Sequence, residues 1–196
     1  MEENHIQLLH HAFKPLDLST ADHAEFFEKW EEVSYKRYDF ITCAGDIERY
    51  FYVVVEGVQC VYLIDRNGDK QVIGFSFDGS FSGIYDAFMK AKASSYFLEA
   101  LTPSKLLRIN LPDFLSLFKQ YPEFEHWGRV VHLDLLIGRV DREVELITTT
   151  AQERFSQFND RCPEPLKNIP QKYLASYLNM TPETFSRLRK AAVSKS

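Results

Sequence analysis

The sequence predicts an α+β protein: an N-terminal jelly-roll β-barrel, then one long helix, then a small helical module built on a helix-turn-helix. Three observations predict it. Short β-branched and aromatic runs punctuated by glycine fill residues 33–111. An apolar stripe with alternating spacings of 3 and 4 runs from Val130 to Ile147. A turn residue, a helix cap and a polar helix face coincide within residues 171–190. The expected divisions are 1–122 for the barrel, 123–150 for the long helix and a hinge, and 151–196 for the terminal module.

Residues 5–30 read as two helices. Apolar residues fall at Leu8, Leu9, Ala12 and Phe13, then at Phe26, Phe27 and Trp30. Pro15 and the Ser19–Thr20 pair separate them, and either hydroxyl residue would cap the second. In the next stretch Phe51–Val55 and Val58–Ile64 read as strands. Asp65-Arg66-Asn67-Gly68-Asp69 reads as a hairpin turn, because Asn-Gly tolerates the positive φ of a primed turn. Many short strands at this spacing indicate a sandwich or a barrel.

Helix returns near 124–147. Val130, Leu133, Ile137, Val140, Val144 and Ile147 form the stripe, and charged residues cover the other faces. A stripe of this kind packs against the helix's own domain or pairs two subunits as a coiled coil, and its narrowness favours the pair. Thr148-Thr149-Thr150 breaks the pattern as a hinge.

The helix-turn-helix reading is made position by position. Leu174, Leu178, Phe185 and Leu188 supply the contact between two crossing helices, with Ala175 small at their close approach. Asn179 suits the left-handed residue that ends the first helix. Thr181 is an N-cap and Pro182 fits the first helical position. The second helix then projects Glu183, Thr184, Ser186, Arg187 and Lys190. Arg187 matches guanine O6 and N7 in a major groove, and Glu183 can accept from a cytosine amino group. Thr181 and Thr184 are placed to touch phosphate, with Gln171, Arg189 and Lys190 as further candidates. An ordinary helical hairpin with a Glu183–Arg187 ion pair is the bland alternative.

Charge distribution agrees with a polyanion partner. The net charge is −5, yet residues 151–196 carry 8 Lys or Arg against 4 acids, leaving −9 on residues 1–150. With 45% hydrophobic and 14% aromatic residues the chain supports a packed core, which excludes disorder over most of its length. No apolar run reaches membrane-spanning length, and Met-Glu-Glu-Asn does not begin a secretory signal. Cys43, Cys60 and Cys162 are odd in number and scattered, as in a reducing cytoplasm.

Together these residues resemble the Crp/Fnr family of bacterial regulators, over nearly the whole chain. Pro182-Glu183-Thr184-Phe185-Ser186-Arg187 is similar to the family's Arg-Glu-Thr-x-x-Arg recognition helix. Gly45-Asp46 followed by Tyr52-Val53-Val54-Val55-Glu56-Gly57 is similar to its Gly-Asp…Tyr-x-Val-x-x-Gly signature. Gly79-Ser80-Phe81-Ser82-Gly83 resembles its Gly-x-x-Phe-Gly-Glu stretch, and Tyr173–Leu178 resembles helix-turn-helix sequences of Bacteroidetes members. The resemblance implies a cyclic-nucleotide-binding-like barrel, a homodimer joined through the long helix, and double-stranded DNA as partner. It implies RNA polymerase as a further partner of an activator. No wing hairpin is expected after the recognition helix.

The resemblance also places an effector pocket at Ser82, Gly83, Ile84, Ser94 and Ser95. Family members that bind cyclic nucleotides have Glu, Arg and Ser or Thr where this chain has Ile84, Ser94 and Ser95. Loss of the guanidinium removes a charge-assisted bidentate contact, and Lys90 or Lys92 would be an unequal substitute. Cyclic AMP is therefore not the expected effector, and either an unknown small molecule or none at all remains. An iron–sulfur sensor needs clustered thiolates, and metal-dependent barrel enzymes need histidines on neighbouring strands; His5, His10, His11, His23, His126 and His132 lie outside the strand region. No nucleophile–base pair and no P-loop is present. The expectation is a non-enzymatic, cytoplasmic regulator without metal or cofactor. Its rival is a signalling protein that binds a ligand or a protein partner and no DNA.

Overall fold

The structure is a computed structural model that describes residues 2–14, 16 and 24–193. Pro15, Ser19 and Thr20, expected to part and cap the first two helices, lie outside the described residues. Those helices are α1 (Glu3–Ala12) and α2 (Ala24–Glu28).

The strands form two separate four-stranded antiparallel sheets. One has the order β1 (Glu31–Tyr35), β8 (Ser104–Asn110), β3 (Tyr50–Glu56), β6 (Phe81–Ser82). The other has the order β2 (Phe40–Thr42), β7 (Phe97–Ala100), β4 (Gln59–Ile64), β5 (Lys70–Ser76). This corrects the expected jelly-roll barrel: among the described residues neither sheet closes on itself, and no ladder joins the two. Short β-branched runs specify strands but not closure, and the edge strands β2 and β6 hold only 3 and 2 residues. Ladders this short cannot carry the stagger that a closed barrel requires.

β3 explains the layering. Its side chains alternate in direction, and both sides are buried. Phe51 and Val53 pack with Leu9, Phe13, Phe26, Phe114, Phe124 and Trp127 of the helical layer. Tyr52 and Val54 pack instead with Ile84, Leu98 and Leu106. The strand reads as a continuous apolar run for that reason.

The β4–β5 hairpin forms as expected, with a different turn. Only Gly68 has positive φ (88°); Asn67 does not. Asp65 and Asp69 exchange a backbone bond of 2.9 Å, and the Asp65 carboxylate accepts from the N–H groups of Asn67 and Asp69. This is a three-residue loop with glycine at the left-handed position, not a two-residue primed turn.

Between β6 and β7 lies α3 (Tyr85–Lys90); α4 (Leu111–Gln120) follows β8 and starts on an Asn110 cap that accepts from Asp113 N at 2.9 Å. The long helix α5 spans Pro122–Thr148, slightly beyond its expected limits. Its end is set by the threonines: Thr148 and Thr149 hydroxyls donate to the carbonyls of Val144 and Glu145. Thr150 then caps α6 (Ala151–Arg161) in a reciprocal capping box with Glu153. The last helices are α7 (Glu164–Lys167), α8 (Gln171–Tyr177) and α9 (Pro182–Val193). No helix among the described residues is long and apolar enough to cross a membrane.

Candidate nucleic-acid interface and effector cavity

α8 ends as its sequence dictates. Asn179 adopts φ 51°, Met180 N donates to Ala175 O at 3.0 Å, and Asn179 N donates to Ser176 O at 2.9 Å. These are the two bonds of a Schellman motif, with Asn in the left-handed place. α9 begins on Thr181, whose Oγ1 accepts from Thr184 N at 3.2 Å, with Pro182 next. Thr181 Oγ1 also contacts Thr184 Oγ1 at 3.2 Å, so both expected phosphate contacts are engaged within the cap.

Phe185 is buried against Phe155, ring centroids 5.3 Å apart, and Leu188 packs on the same core. That anchors one face of α9. Glu183, Arg187, Arg189 and Lys190 are exposed, Thr184 and Ser186 are half-buried, and Gln171 is exposed at the start of α8. The Glu183 carboxyl is held below its ordinary range by its own backbone N–H at the helix start and then by Thr181. Among the described residues no Glu183–Arg187 ion pair is formed, so the bland alternative to DNA reading has no contact behind it in this structure.

Two arginines clamp the turn. Arg154 is buried; its Nε donates to Leu178 O at 2.8 Å, and its terminal nitrogens donate to Thr149 O at 2.5 Å and Asn179 O at 3.3 Å. Arg142 of α5 donates to Tyr177 O, lies 4.0 Å from the Tyr177 ring centroid, and pairs with Glu145 at 3.2 Å. Glu145 also holds Arg161 at 2.8 Å. Three successive carbonyls at the end of α8 are thus taken by two guanidinium groups. Arg154 and Arg161 are therefore engaged in the fold, which the charge count could not reveal.

The helical module also docks on the second sheet. Ser176 Oγ accepts from Val72 N at 2.9 Å and donates to Lys70 O at 2.8 Å. Tyr173 OH donates to Glu99 at 3.3 Å, and Lys70 pairs with the same buried carboxylate at 2.5 Å. Apolar residues of β4 and β5 (Cys60, Tyr62, Val72) share one core with Phe158, Tyr173, Leu174 and Leu178. None of these contacts was foreseen from the sequence.

α5 carries two apolar faces. Leu133, Ile137, Val140, Val144 and Ile147 of the stripe are each 49% to 75% exposed, and Val130 is half-buried. The opposite face lines a cavity of about 460 Å³ with Trp127, Val131, Leu135 and Arg139. Phe51, Phe81, Ser82, Gly83 and Ile84 line its other side. Tyr85 OH and His132 Nε2 meet at 2.6 Å beside it, and burial pushes the Tyr85 phenol up to about 12. Of the expected pocket residues, Ser82, Gly83 and Ile84 are brought together there. Ser94 and Ser95 do not line it: Ser94 is buried and bonds its own turn through Tyr96 N and Tyr96 O, both at 2.9 Å, and Ser95 is exposed.

A buried carboxylate stands beside Ile84. Glu48 accepts from Thr42 Oγ1 at 2.7 Å and from Tyr50 N at 3.3 Å. Burial raises its pKa above the ordinary range, opposed by the Thr42 hydroxyl and by the backbone N–H groups of Tyr50, Ile84 and Arg49. The Ile84 N–H, at the N-cap of α3, thus already faces an anion-capable group of the chain itself. Among the described residues no group of three or more His, Cys, Asp or Glu is placed to hold a metal ion.

Residues 32–121 match the family model of the cyclic nucleotide-binding domain. No curated protein matches the chain. Solved structures do. FixK2 from Bradyrhizobium japonicum is similar at 19% identity and TM-score 0.71, with 85% of each chain covered. A CooA mutant from Carboxydothermus hydrogenoformans is similar at 16% identity and TM-score 0.71, covering 91% of this chain and 83% of that one. The c-di-GMP responsive global regulator CLP of Xanthomonas campestris is similar at 15% identity and TM-score 0.70, covering 89% and 91%. At such identities the likeness establishes a shared fold.

Proposed function

We propose that the chain is a Crp/Fnr-type transcription regulator, a non-enzymatic protein that binds double-stranded DNA as a homodimer with α9 in the major groove. The observation that carries this reading is the division of α9. Phe185 and Leu188 fix one face to the body of the protein, while Glu183, Arg187 and Arg189 are exposed on the other. Anchored back and polar front are what a recognition helix needs. The match to solved regulators over most of the chain supports the same reading.

Dimerisation through α5 is supported by its two faces. At 100° per residue, the exposed stripe lies opposite the residues that line the cavity. A helix already packed on its own sheets would be polar on its outer face if water were its final neighbour. A second copy of the same stripe would cover it, with the two recognition helices about one DNA turn apart. An activator of this type would additionally touch RNA polymerase, and the setting of such a protein is the cytoplasm.

The α5 cavity is the effector site in this reading. Cyclic AMP is not its ligand. The side chain at the position of the ribose-binding acid is Ile84, the arginine position is a turn-bound Ser94, and the Glu48 carboxylate sits by the Ile84 N–H. A cyclic phosphate near Ile84 would meet the Glu48 carboxyl, and the guanidinium of the lining, Arg139, comes from α5 and not from the family's arginine position.

Binding to fragmented genomic DNA tests the central claim. The purified protein should retain a small set of fragments that share two-fold symmetric half-sites. Uniform, sequence-independent retention, or none, would refute it.

A further inference from the structure

Four of the six residues that α5 gives to the cavity repeat every fourth position, Trp127, Val131, Leu135 and Arg139, with Gly128 and His132 beside them. Three of the four are apolar and the last is a cation. Twelve residues of helix at ~1.5 Å each make the line about 18 Å long. The cavity of about 460 Å³ runs along this line. A trough of that length suits an extended hydrocarbon chain. Phe51, Val61, Ile73 and Phe81 make the opposite wall apolar as well.

Charge is confined to two side chains of the lining. Asp86 is paired with Lys92 at 3.5 Å. Arg139 has no hydrogen-bond or ion partner among the described residues, and it stands exposed at the end of the trough. Arginine's planar fork pairs bidentately with a carboxylate.

We propose that the cavity takes a single-chain anionic amphiphile, its hydrocarbon chain laid along Trp127, Val131 and Leu135 and its carboxylate on Arg139. This rests on the reading of the cavity as an effector site and adds the class of effector. The chain would bridge the β6–α3 segment and α5, so that its length sets how many contacts join the sheets to the helix.

Calorimetry with dodecanoate, below its micelle concentration, tests this on the full chain. One site per subunit is expected, with affinity rising about three- to fourfold for each methylene from octanoate to dodecanoate. Arg139→Ala should weaken dodecanoate at least tenfold and leave dodecanol unchanged. Leu135→Trp, at an exposed position where folding is safe, should block acid and alcohol together. Trp127 fluorescence reports the same event.

No binding by the wild type at any chain length overturns the proposal. So does binding that both variants leave untouched, which would mark adsorption to the outer apolar stripe. Association with phosphatidylglycerol vesicles alone, without uptake of free dodecanoate, overturns it too, in favour of a membrane surface. Retention of DNA is measured on the same samples without amphiphile. A protein that binds its DNA and no amphiphile refutes the ligand class and leaves the regulator reading standing; the reverse refutes the regulator.

Discussion

The guanidinium Nε of Arg154 and the carbonyl of Leu178 meet at 2.8 Å, across 24 residues of sequence. The same side chain reaches Thr149 O and Asn179 O, so one residue of α6 ties the hinge after α5 to the turn of the helix-turn-helix. The angle between the long helix and the recognition helix depends on this residue.

Arg154→Ala should therefore destabilise the protein by roughly 1.5–3 kcal/mol, since the buried Leu178 carbonyl loses its charged donor and two part-buried carbonyls lose theirs. Urea unfolding measures it. Arg154→Lys should recover little, because a point charge cannot serve three carbonyls in a plane. A wild-type midpoint in the alanine variant would show that the clamp is dispensable.

Val140→Asp should convert the proposed dimer to a monomer. An unpaired carboxylate in a closed apolar seam costs several kcal/mol. Sedimentation at micromolar concentration reads the outcome. If wild type is already monomeric there, α5 does not join two copies.

Arg187→Ala and Lys190→Ala should differ in kind. Removing Arg187 should cost roughly 1–3 kcal/mol on the preferred site and relax preference at one base pair of each half-site. Removing Lys190 should weaken all sequences alike and flatten the salt dependence. Titrations on matched and single-substituted sites separate the two. Full preference in the Arg187 variant would remove that residue from the reading set.

Glu48 should make stability pH-dependent in a definite direction. Burial raises its folded pKa above the unfolded value. Its contribution is then whole below the ordinary carboxylate range and is lost as pH rises through the raised folded pKa. Glu48→Gln keeps the Thr42 contact and carries no charge. The variant should gain on wild type as pH climbs from the carboxylate range toward neutrality. The difference between the two unfolding free energies isolates this group from the other carboxylates. A constant difference would mean that Glu48 ionises as freely folded as unfolded.

Cyclic AMP and cyclic GMP should show no micromolar binding by calorimetry. Ile84→Glu with Ser94→Arg restores two of the three groups that the resemblance assigns to nucleotide recognition. Ser94 bonds its own turn, so the double variant should still bind weakly. Tight binding by wild type would show that Lys90 or Lys92 replaces the missing guanidinium.

Local chemistry was legible in the sequence and distant pairing was not. Asn179 was readable because a left-handed helix stop selects among few residue types, and the turn took that shape. Thr181 was readable as a cap for a similar reason. The hairpin at Asn67-Gly68 was placed correctly, yet its turn type was missed, because the Asp65 carboxylate organises the loop from outside the dipeptide. Closure of the sheets failed as an expectation because it depends on which edges meet. Arg154 was counted as surface charge, since nothing in the neighbouring residues announces three carbonyls gathered by folding. Ser176 bonds Val72 across 104 positions, and no local pattern encodes such a partner.

The Ser176 contact has a consequence beyond positioning a helix. β5 is the outer strand of its sheet, and a bare outer strand is a template on which other chains can add strands. Ser176 occupies the Val72 N–H and the Lys70 carbonyl, two of the groups such a chain would need. The helical module thus guards the open edge of the second sheet. A fragment ending before α8 would expose that edge together with the apolar faces of Tyr62 and Val72, and self-association would follow from its β-structure alone.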